Sequence, residues 1–205
     1  MLGHNSPYQG IRLFQNELLE RFTRISLAGF AATWCILLPL VAWTGWGSAP
    51  LPVAAGLCAA GFGSWFIFEY AMHRYLFHWK PRHTMLARSV FIMHGNHHVD
   101  ANDPMRCLMP PIASIPIALV VWSLFALLIG PSGTWAFLGF MLGYVVYDVT
   151  HYACHQWPMK GRFGMVLKRH HMRHHHIDEA GNYAITALVL DRVFRTRITS
   201  AKRNV

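Results

Sequence analysis

The sequence predicts an all-α integral membrane protein: four transmembrane helices in two hairpins, with a cytoplasmic, histidine-rich helical cap. Three observations lead to this class. The chain has 205 residues, of which 54% are hydrophobic and only 13% are charged, against about 25% charged in ordinary soluble domains. Asp, Glu, Lys and Arg are absent between Arg24 and Glu69 and again between Arg106 and Asp148. Most of the 14 histidines gather near the ends of these two stretches.

Each uncharged stretch is long enough for a helical hairpin, because a helix needs about 20 residues to span a bilayer. Residues 44–50 and 130–133 interrupt the stretches with glycine, proline and small polar residues, which are typical of turns. Trp43, Trp46 and Trp135 lie near these turns, as expected for an aromatic belt. The predicted membrane helices are residues 26–43, 51–70, 112–129 and 134–152.

The basic residues predict the orientation of these helices. All 18 Lys and Arg lie outside the hairpins, 26–70 and 112–152. Segments 1–24, 71–111 and 153–205 are therefore expected on one face, which the positive-inside rule makes cytoplasmic. That membrane is the cytoplasmic membrane in a bacterium and the endoplasmic reticulum in a eukaryote. Topology explains the net charge of +9, so we expect no nucleic-acid partner, and residues 1–205 form one domain.

Ten histidines form four groups on the predicted cytoplasmic face. Residues spaced i, i+3 and i+4 lie on one face of a helix, so two of the groups can each direct three imidazoles one way. His73 and His78 are about 140° apart on an ideal helix and converge only if the helix ends or loosens between them. The groups are His73 and His78; His94, His97 and His98; His151 and His155; and His171, His174 and His175.

These ten histidines predict a metal centre. Ten imidazoles held together without metal would repel one another whenever they are protonated, whereas neutral imidazole binds iron, zinc, copper and nickel. Ten ligands are too many for one ion, so two metals with about five histidines each are expected. The sequence does not show which five bind which ion. Metal-bound histidines usually donate their other N–H to a carboxylate or carbonyl, and the candidate carboxylates are Asp148, Glu69, Asp103 and Asp191.

Four segments resemble the fatty acid hydroxylase superfamily, and the resemblance is closest to the branch that hydroxylates acyl chains beside the carboxyl group, as in sphingolipid fatty acid 2-hydroxylases. Together they span most of the chain from Glu69 to Thr196. The segments are HRYLFHW at 73–79; HGNHH at 94–98, followed by Asp103, Arg106, Pro110 and Pro111; YDVTHYACH at 147–155; and LKRHHMRHH at 167–175.

The resemblance implies a non-haem di-iron monooxygenase that hydroxylates a fatty acyl chain with dioxygen and two external electrons. Zinc could replace iron in purified protein, since it favours the same ligands. Many relatives carry a fused b-type cytochrome that residues 1–24 cannot supply, so a separate b-type cytochrome or ferredoxin is the expected electron donor. Arg106 or Lys168 is expected to hold the polar end of the lipid substrate, and Tyr144 to line the acyl channel.

Three alternatives use the same residues. A sterol or carotenoid hydroxylase, or a desaturase, would share the histidine site. A membrane metal transporter would need ligands at mid-membrane, whereas these histidines gather on one face. A metal sensor or structural zinc protein would have no need of a lipid cavity. Oxygen uptake that depends on substrate separates the enzymes from the other two classes.

Overall fold

The structure, a computed structural model, describes residues 10–199, so residues 1–9 and 200–205 of the two expected terminal segments lie outside the described residues. Between residues 10 and 199 the chain is helical without a strand, which confirms the all-α class. Two π-helical segments, Met72–Phe77 and Phe91–Gly95, continue α3 and α4. The α-helices are α1 (Glu17–Phe22), α2 (Leu27–Gly45), α3 (Leu51–Ala71), α4 (Thr84–Val90), α5 (Asn96–Val99), α6 (Pro111–Ile129), α7 (Gly133–Gln156), α8 (Arg162–His176) and α9 (Val189–Val193).

Each uncharged stretch forms two consecutive helices joined by a short turn, α2 and α3 in the first and α6 and α7 in the second. Helices α6 and α7 pack against each other as a hairpin, whereas α2 packs mainly against α7 and not against α3. Local sequence sets their ends. The Ser26 hydroxyl accepts the Gly29 N–H at 3.1 Å at the start of α2, as an N-cap does. Pro111 is the first residue of α6, a position where its missing N–H costs no helical hydrogen bond.

Helix α7 lies at the centre of the bundle and packs against α2, α3 and α6. Its contact with α3 is the most extensive, because glycines let the two backbones approach closely. A Cβ atom at Gly61 would collide with the carbonyl oxygen of Ala136, and one at Gly139 with that of Cys58. Small residues at such contacts are typical of packed membrane helices, and here they allow the short distance between the backbones of α7 and α3.

Three helical segments are long and apolar enough to cross a membrane: Leu27–Gly45, Leu51–Phe77 and Pro111–Ile129. This confirms the membrane class. Helix α7 is long enough at 24 residues but is not one of these segments, since its second half carries Asp148, His151 and His155. Protein surrounds most of its length, so its side chains can be less apolar than those facing lipid. A fourth crossing and the cytoplasmic orientation stay predictions.

Candidate metal centre and adjoining cavity

The ten predicted histidines come together in two groups of five, where α3 and α7 end. Within each group one ring nitrogen of every histidine lies within 4.8 Å of the others. Each cluster takes its histidines from three segments far apart in the chain, so the fold, not local sequence, assembles them. Cluster one is His73, His78, His94, His98 and His174; cluster two is His97, His151, His155, His171 and His175.

The ring nitrogens in each cluster point at a common centre. In cluster one, Nε2 of His174 is 3.1 Å from Nε2 of His73 and 3.0 Å from Nε2 of His78. In cluster two, Nε2 of His151 is 2.9 Å from Nε2 of His97. Two nitrogens that bind one metal at about 2.1 Å and at right angles are about 3.0 Å apart. The donor set therefore fits one ion in each cluster.

A π-helical segment brings His73 and His78 together. An α-helix would point them in different directions, but Met72–Phe77 is π-helical, and its i→i+5 hydrogen bonds place residues five apart nearly one turn from each other. The two imidazole centroids are 5.1 Å apart. The loosening that the spacing required is thus present, at the point where α3 continues into the cap.

Each of the two three-histidine groups is divided between the clusters, which differs from the expectation that all three imidazoles point one way. His94 and His98 belong to cluster one, but His97 belongs to cluster two. On a helix, residues i+3 and i+4 are separated by about 100° around the axis, so neighbouring imidazoles diverge. In α8 the same spacing sends His174 to cluster one, across from His171 and His175.

Backbone carbonyls orient three of the histidines. Nδ1 of His73 donates to the Tyr183 carbonyl at 2.6 Å, and Nδ1 of His174 donates to the Gly181 carbonyl at 2.7 Å. In cluster two, Nδ1 of His151 donates to a carbonyl, that of Cys107, at 3.0 Å. A carbonyl only accepts, so the proton lies on Nδ1 and the lone pair of Nε2 faces the cluster centre.

Glu69 and Asp191 act on the loop that provides two of these carbonyls. The Glu69 carboxylate accepts the N–H groups of Ile185 and Thr186 and the Thr186 hydroxyl. Asp191, which is fully buried, accepts the N–H groups of Tyr183 and Ala184 at 2.9 Å each. Neither carboxylate is hydrogen-bonded to a cluster histidine. They instead hold residues 181–186, a loop that sequence reasoning did not select.

The other two candidate carboxylates have different partners. Asp148 is buried and accepts the Tyr144 hydroxyl and the Met109 N–H, each at 3.0 Å. It is not the partner of His151, which donates to the Cys107 carbonyl. Asp103 accepts the Met105 N–H and lies 3.5 Å from Nε of Arg106. A carboxylate that sequence reasoning missed, Glu179, lies 3.3 Å from Nδ1 of His98. Its position after α8 gave no helical spacing from which to infer it.

The environment keeps the cap imidazoles neutral. Burial, followed by the charge of Lys80, lowers the pKa of His78 to about 4. Burial and the neighbouring His78 lower the pKa of His98 to about 3. The pKa values of His94 and His97 are held well below the ordinary value, first by burial and then by adjacent histidines. Neutral imidazoles carry the lone pair that a metal ion needs.

A cavity of about 230 Å³ lies next to both clusters. Its wall includes His94 of cluster one and His97 and His151 of cluster two. Its wall also includes residues of α6 from Ile112 to Val121, which span about 14 Å at 1.5 Å per residue. Most of the remaining wall is apolar, from α3, α6, α7 and the segment around α1.

The three predicted substrate residues are placed differently. Tyr144 and Arg106 line the cavity. The Arg106 guanidinium is committed to Glu20 and to the Thr23 hydroxyl, so it fastens α1 beside the cavity. Lys168 is not part of the cavity wall: its Nζ donates to the Trp157 carbonyl at 2.7 Å.

The pairing of Glu20 with Arg106 predicts that α1 is released in acid. Burial raises the pKa of Glu20, but hydrogen bonds from the N–H groups of Phe14 and Leu13 and the charge of Arg106 outweigh it, so the pKa lies below the ordinary 4.5. A carboxyl group whose pKa is lower in the folded than in the unfolded state stabilises the folded state at pH values above its unfolded-state pKa. This stabilisation is lost as the pH falls through the folded-state pKa. Hydrogen exchange of residues 13–22, corrected for intrinsic rates, should therefore accelerate below pH 4.5.

A Glu20→Gln variant provides the control for that experiment. Its exchange in residues 13–22 should be fast already at neutral pH and should change little with acid. Equal protection of the two proteins at pH 7 would contradict the role given to Glu20.

The known proteins to which this chain is similar include several hydroxylases. Residues 58–196 match the fatty acid hydroxylase family. A dihydroceramide fatty acyl 2-hydroxylase of Arabidopsis thaliana is 32% identical over 193 residues, covering 92% of this chain and 80% of that protein. The fatty acid 2-hydroxylase of Mus musculus is 32% identical over 218 residues, but this chain spans only 59% of its length.

A solved structure has the same fold. It is described as full-length scs7p with only the hydroxylase domain visible, and it superimposes with a TM-score of 0.83 at 27% identity, covering 91% of this chain and 71% of that one. The family match covers more than half of the chain and includes all ten clustered histidines. The chain therefore belongs to the fatty acid hydroxylase family.

Proposed function

We propose that this protein is a membrane di-iron monooxygenase that hydroxylates a fatty acyl chain at the 2-position. The observation that carries the proposal is the cavity, which is largely apolar along α6 and whose wall includes histidines of both clusters. A lipid chain can lie along α6 with one methylene beside the cluster centres. Similarity to proteins named as fatty acyl 2-hydroxylases supports the same substrate class.

The direction of the cavity favours a carbon near the head of the lipid. The histidines lie in the cap, whereas the cavity extends from Ile112 towards the middle of α6, which is one of the candidate membrane spans. An acyl chain whose tail follows α6 into the bilayer has its carboxyl end at the cap. The carbon next to that carboxyl group is then the one closest to the histidines.

The donor set favours iron over zinc as the working metal. Structural zinc sites are almost always four-coordinate, whereas each cluster offers five nitrogens. Two iron ions held there would supply the oxygen-activating redox chemistry that no side chain provides. Cluster one would hold one ion and cluster two the other.

The surrounding residues bind the substrate and exclude water. The overall reaction inserts one oxygen atom of dioxygen into a C–H bond and releases the other as water, with two protons and two electrons from an external donor. Trp65, Phe140 and Met141 line the cavity and keep water from the reacting carbon. The Tyr144 hydroxyl and the Asp148 carboxylate satisfy each other, so the wall can accept an apolar chain.

We further propose that the chain works as one membrane domain with its clusters on the cytoplasmic face, and that a separate b-type cytochrome or ferredoxin delivers the electrons. Basic residues flanking the hairpins support the orientation. Both clusters lie near the ends of helices α3 and α7. A metal transporter would instead need ligands in the middle of the membrane, where the described residues form no such cluster.

A pair of alanine variants on α6 tests the cavity as the acyl site. Ala118 is buried and lines the cavity, whereas Ala126, two turns further along, is exposed. Ala118→Phe should fill the cavity and lower hydroxylation at least about 10-fold, since an overpacked site has no room for the substrate. Ala126→Phe should leave the activity unchanged.

The measurement is mass spectrometry of hydrolysed fatty acids from a host that makes no 2-hydroxy acids. Bound metal and thermal stability are determined for every variant. Production of 2-hydroxy acids by the unmodified chain and by Ala126→Phe, but not by metal-loaded Ala118→Phe, supports the proposal. Equal activity of the two variants would show that the acyl chain does not use this cavity, and unchanged fatty acids from a metal-loaded chain would reject the acyl substrate.

A further inference from the structure

A second pocket, remote from the cavity at α6, is lined by four arginines. It has a volume of about 210 Å³ and lies between α8, α9 and the segment that follows α9. Apolar side chains of Val166 and Leu188 complete part of its wall. The arginines are Arg169, Arg173, Arg192 and Arg197.

The positive charge of this pocket is not neutralised by the described part of the chain. None of the four arginines forms an ion pair with a carboxylate of residues 10–199. Asp191 lies behind His170, which also lines the pocket. Asp191 is fully buried and lies 2.9 Å from Nε2 of His170, and it also accepts two backbone N–H groups. Its charge is therefore already compensated.

The pocket lies beside the last turns of a candidate membrane span, Leu51–Phe77, at a contact seven residues before the end of that span. Tyr70, next to the last residue of α3, stacks on Phe194 with ring centroids 4.9 Å apart. The Tyr70 hydroxyl is 2.9 Å from Oγ1 of Thr196. Arg192 and Arg197 lie within two residues of these contacts in the chain, so their backbones are held beside the end of α3.

The surface around the pocket combines these arginines with exposed apolar side chains. Phe163 and Val166 on α8 are 74% and 46% exposed, and Val189 and Val193 on α9 are 59% and 65% exposed. Basic residues beside exposed apolar ones are typical of helices that lie in a membrane interface. Guanidinium groups match the geometry of phosphate oxygens, which they bind with paired hydrogen bonds.

We propose that this pocket binds a phosphate group, presented by the headgroup of an anionic phospholipid at the membrane surface. Four guanidinium groups around a small concave site provide the charge and the hydrogen-bond donors. The end of α3 and the exposed apolar side chains place the site where lipid headgroups are found. The proposal depends on the membrane location and on the pocket, and it is independent of the reaction at the histidine clusters.

The test measures lipid binding by the full-length, metal-loaded protein in a neutral detergent. The probes are dihexanoyl phosphatidic acid, dihexanoyl phosphatidylcholine and inorganic phosphate. The pocket variant is the double substitution Arg173→Gln with Arg192→Gln. The matched control is Arg82→Gln with Arg162→Gln, which removes the same charge from two exposed residues outside the pocket.

We expect the dissociation constant for phosphatidic acid to rise at least about 10-fold in the pocket variant and less than about 2-fold in the control. If inorganic phosphate binds much more weakly than phosphatidic acid, the ligand is a lipid; if the two bind equally well, the ligand is soluble phosphate. In both cases, weaker binding of that probe to the pocket variant supports a phosphate site. Equal weakening in both double variants, or no binding of either probe, would overturn the proposal. So would unchanged phosphatidic acid binding in a pocket variant that no longer accepts electrons from an acidic donor protein, since the pocket would then serve a protein.

Discussion

Replacing both His97 and His98 with alanine will remove both metal ions, whereas replacing both His97 and His155 will remove one. His97 and His98 are adjacent in the chain but belong to different clusters, while His97 and His155 share cluster two. Loss of a ligand to either ion should also lower hydroxylation by at least about 100-fold. Replacing a residue that only hydrogen-bonds to a metal ligand already lowers metal affinity or activity by up to about 100-fold. Metal content per chain, measured by mass spectrometry, distinguishes the two double variants.

The exposed His83, which belongs to neither cluster, provides the control for this experiment. His83→Ala should retain both ions and full activity. If His97→Ala with His98→Ala kept one ion while His97→Ala with His155→Ala kept none, the histidines would be grouped by their order in the chain, and the arrangement described above would be wrong.

Replacing Glu69 with alanine will weaken metal binding in cluster one while cluster two keeps its ion. The change leaves the N–H groups of Ile185 and Thr186 without their acceptor, at a cost of about 1–3 kcal/mol for each buried donor. The loop then no longer holds the Tyr183 carbonyl against His73. Loss of such a support typically lowers metal affinity about 10–100-fold.

Two further variants separate this positioning role of Glu69 from general destabilisation. Glu69→Gln keeps one acceptor oxygen and should recover part of the metal affinity. Asp103→Asn changes a carboxylate whose contacts are with Met105 and Arg106 and should leave both ions in place. Titration of each variant with a chelator, followed by metal analysis, gives the result. Simultaneous loss of both ions from Glu69→Ala would mean that Glu69 supports the fold as a whole.

The sequence predicted the helices well because the signals for them are local. The absence of charged residues indicated the two helical pairs, and Gly130 and Pro131 indicated the turn between α6 and α7. Helix α7 begins at Gly133, within one residue of its predicted start. The ten histidines could be selected for the same reason, since their spacings are short. The requirement for a loosened helix between His73 and His78 also followed from spacing alone.

The parts that could not be predicted depend on contacts between distant segments. The partners of His73 and His174 are carbonyl oxygens of Tyr183 and Gly181, and any residue type provides a carbonyl. The division of His97 from His98 depends on which distant histidines each one faces: His97 faces His151 and His155, whereas His98 faces His174. Asp191 lies 2.9 Å from His170, a histidine outside both clusters. Its place in the sequence did not indicate that it would hold the loop of residues 181–186 and not a metal-binding histidine.

The central claim is that the clusters and the cavity together hydroxylate an acyl chain. The most direct measurement supplies isotopically labelled dioxygen to the iron-loaded protein with a reductant and an N-acylated lipid, and follows the label in the released fatty acid. We predict one labelled oxygen atom at carbon 2 for each dioxygen consumed, and none with His174→Ala. An unsaturated product without label would identify a desaturase, and oxygen uptake without any change in the acyl chain would contradict the account.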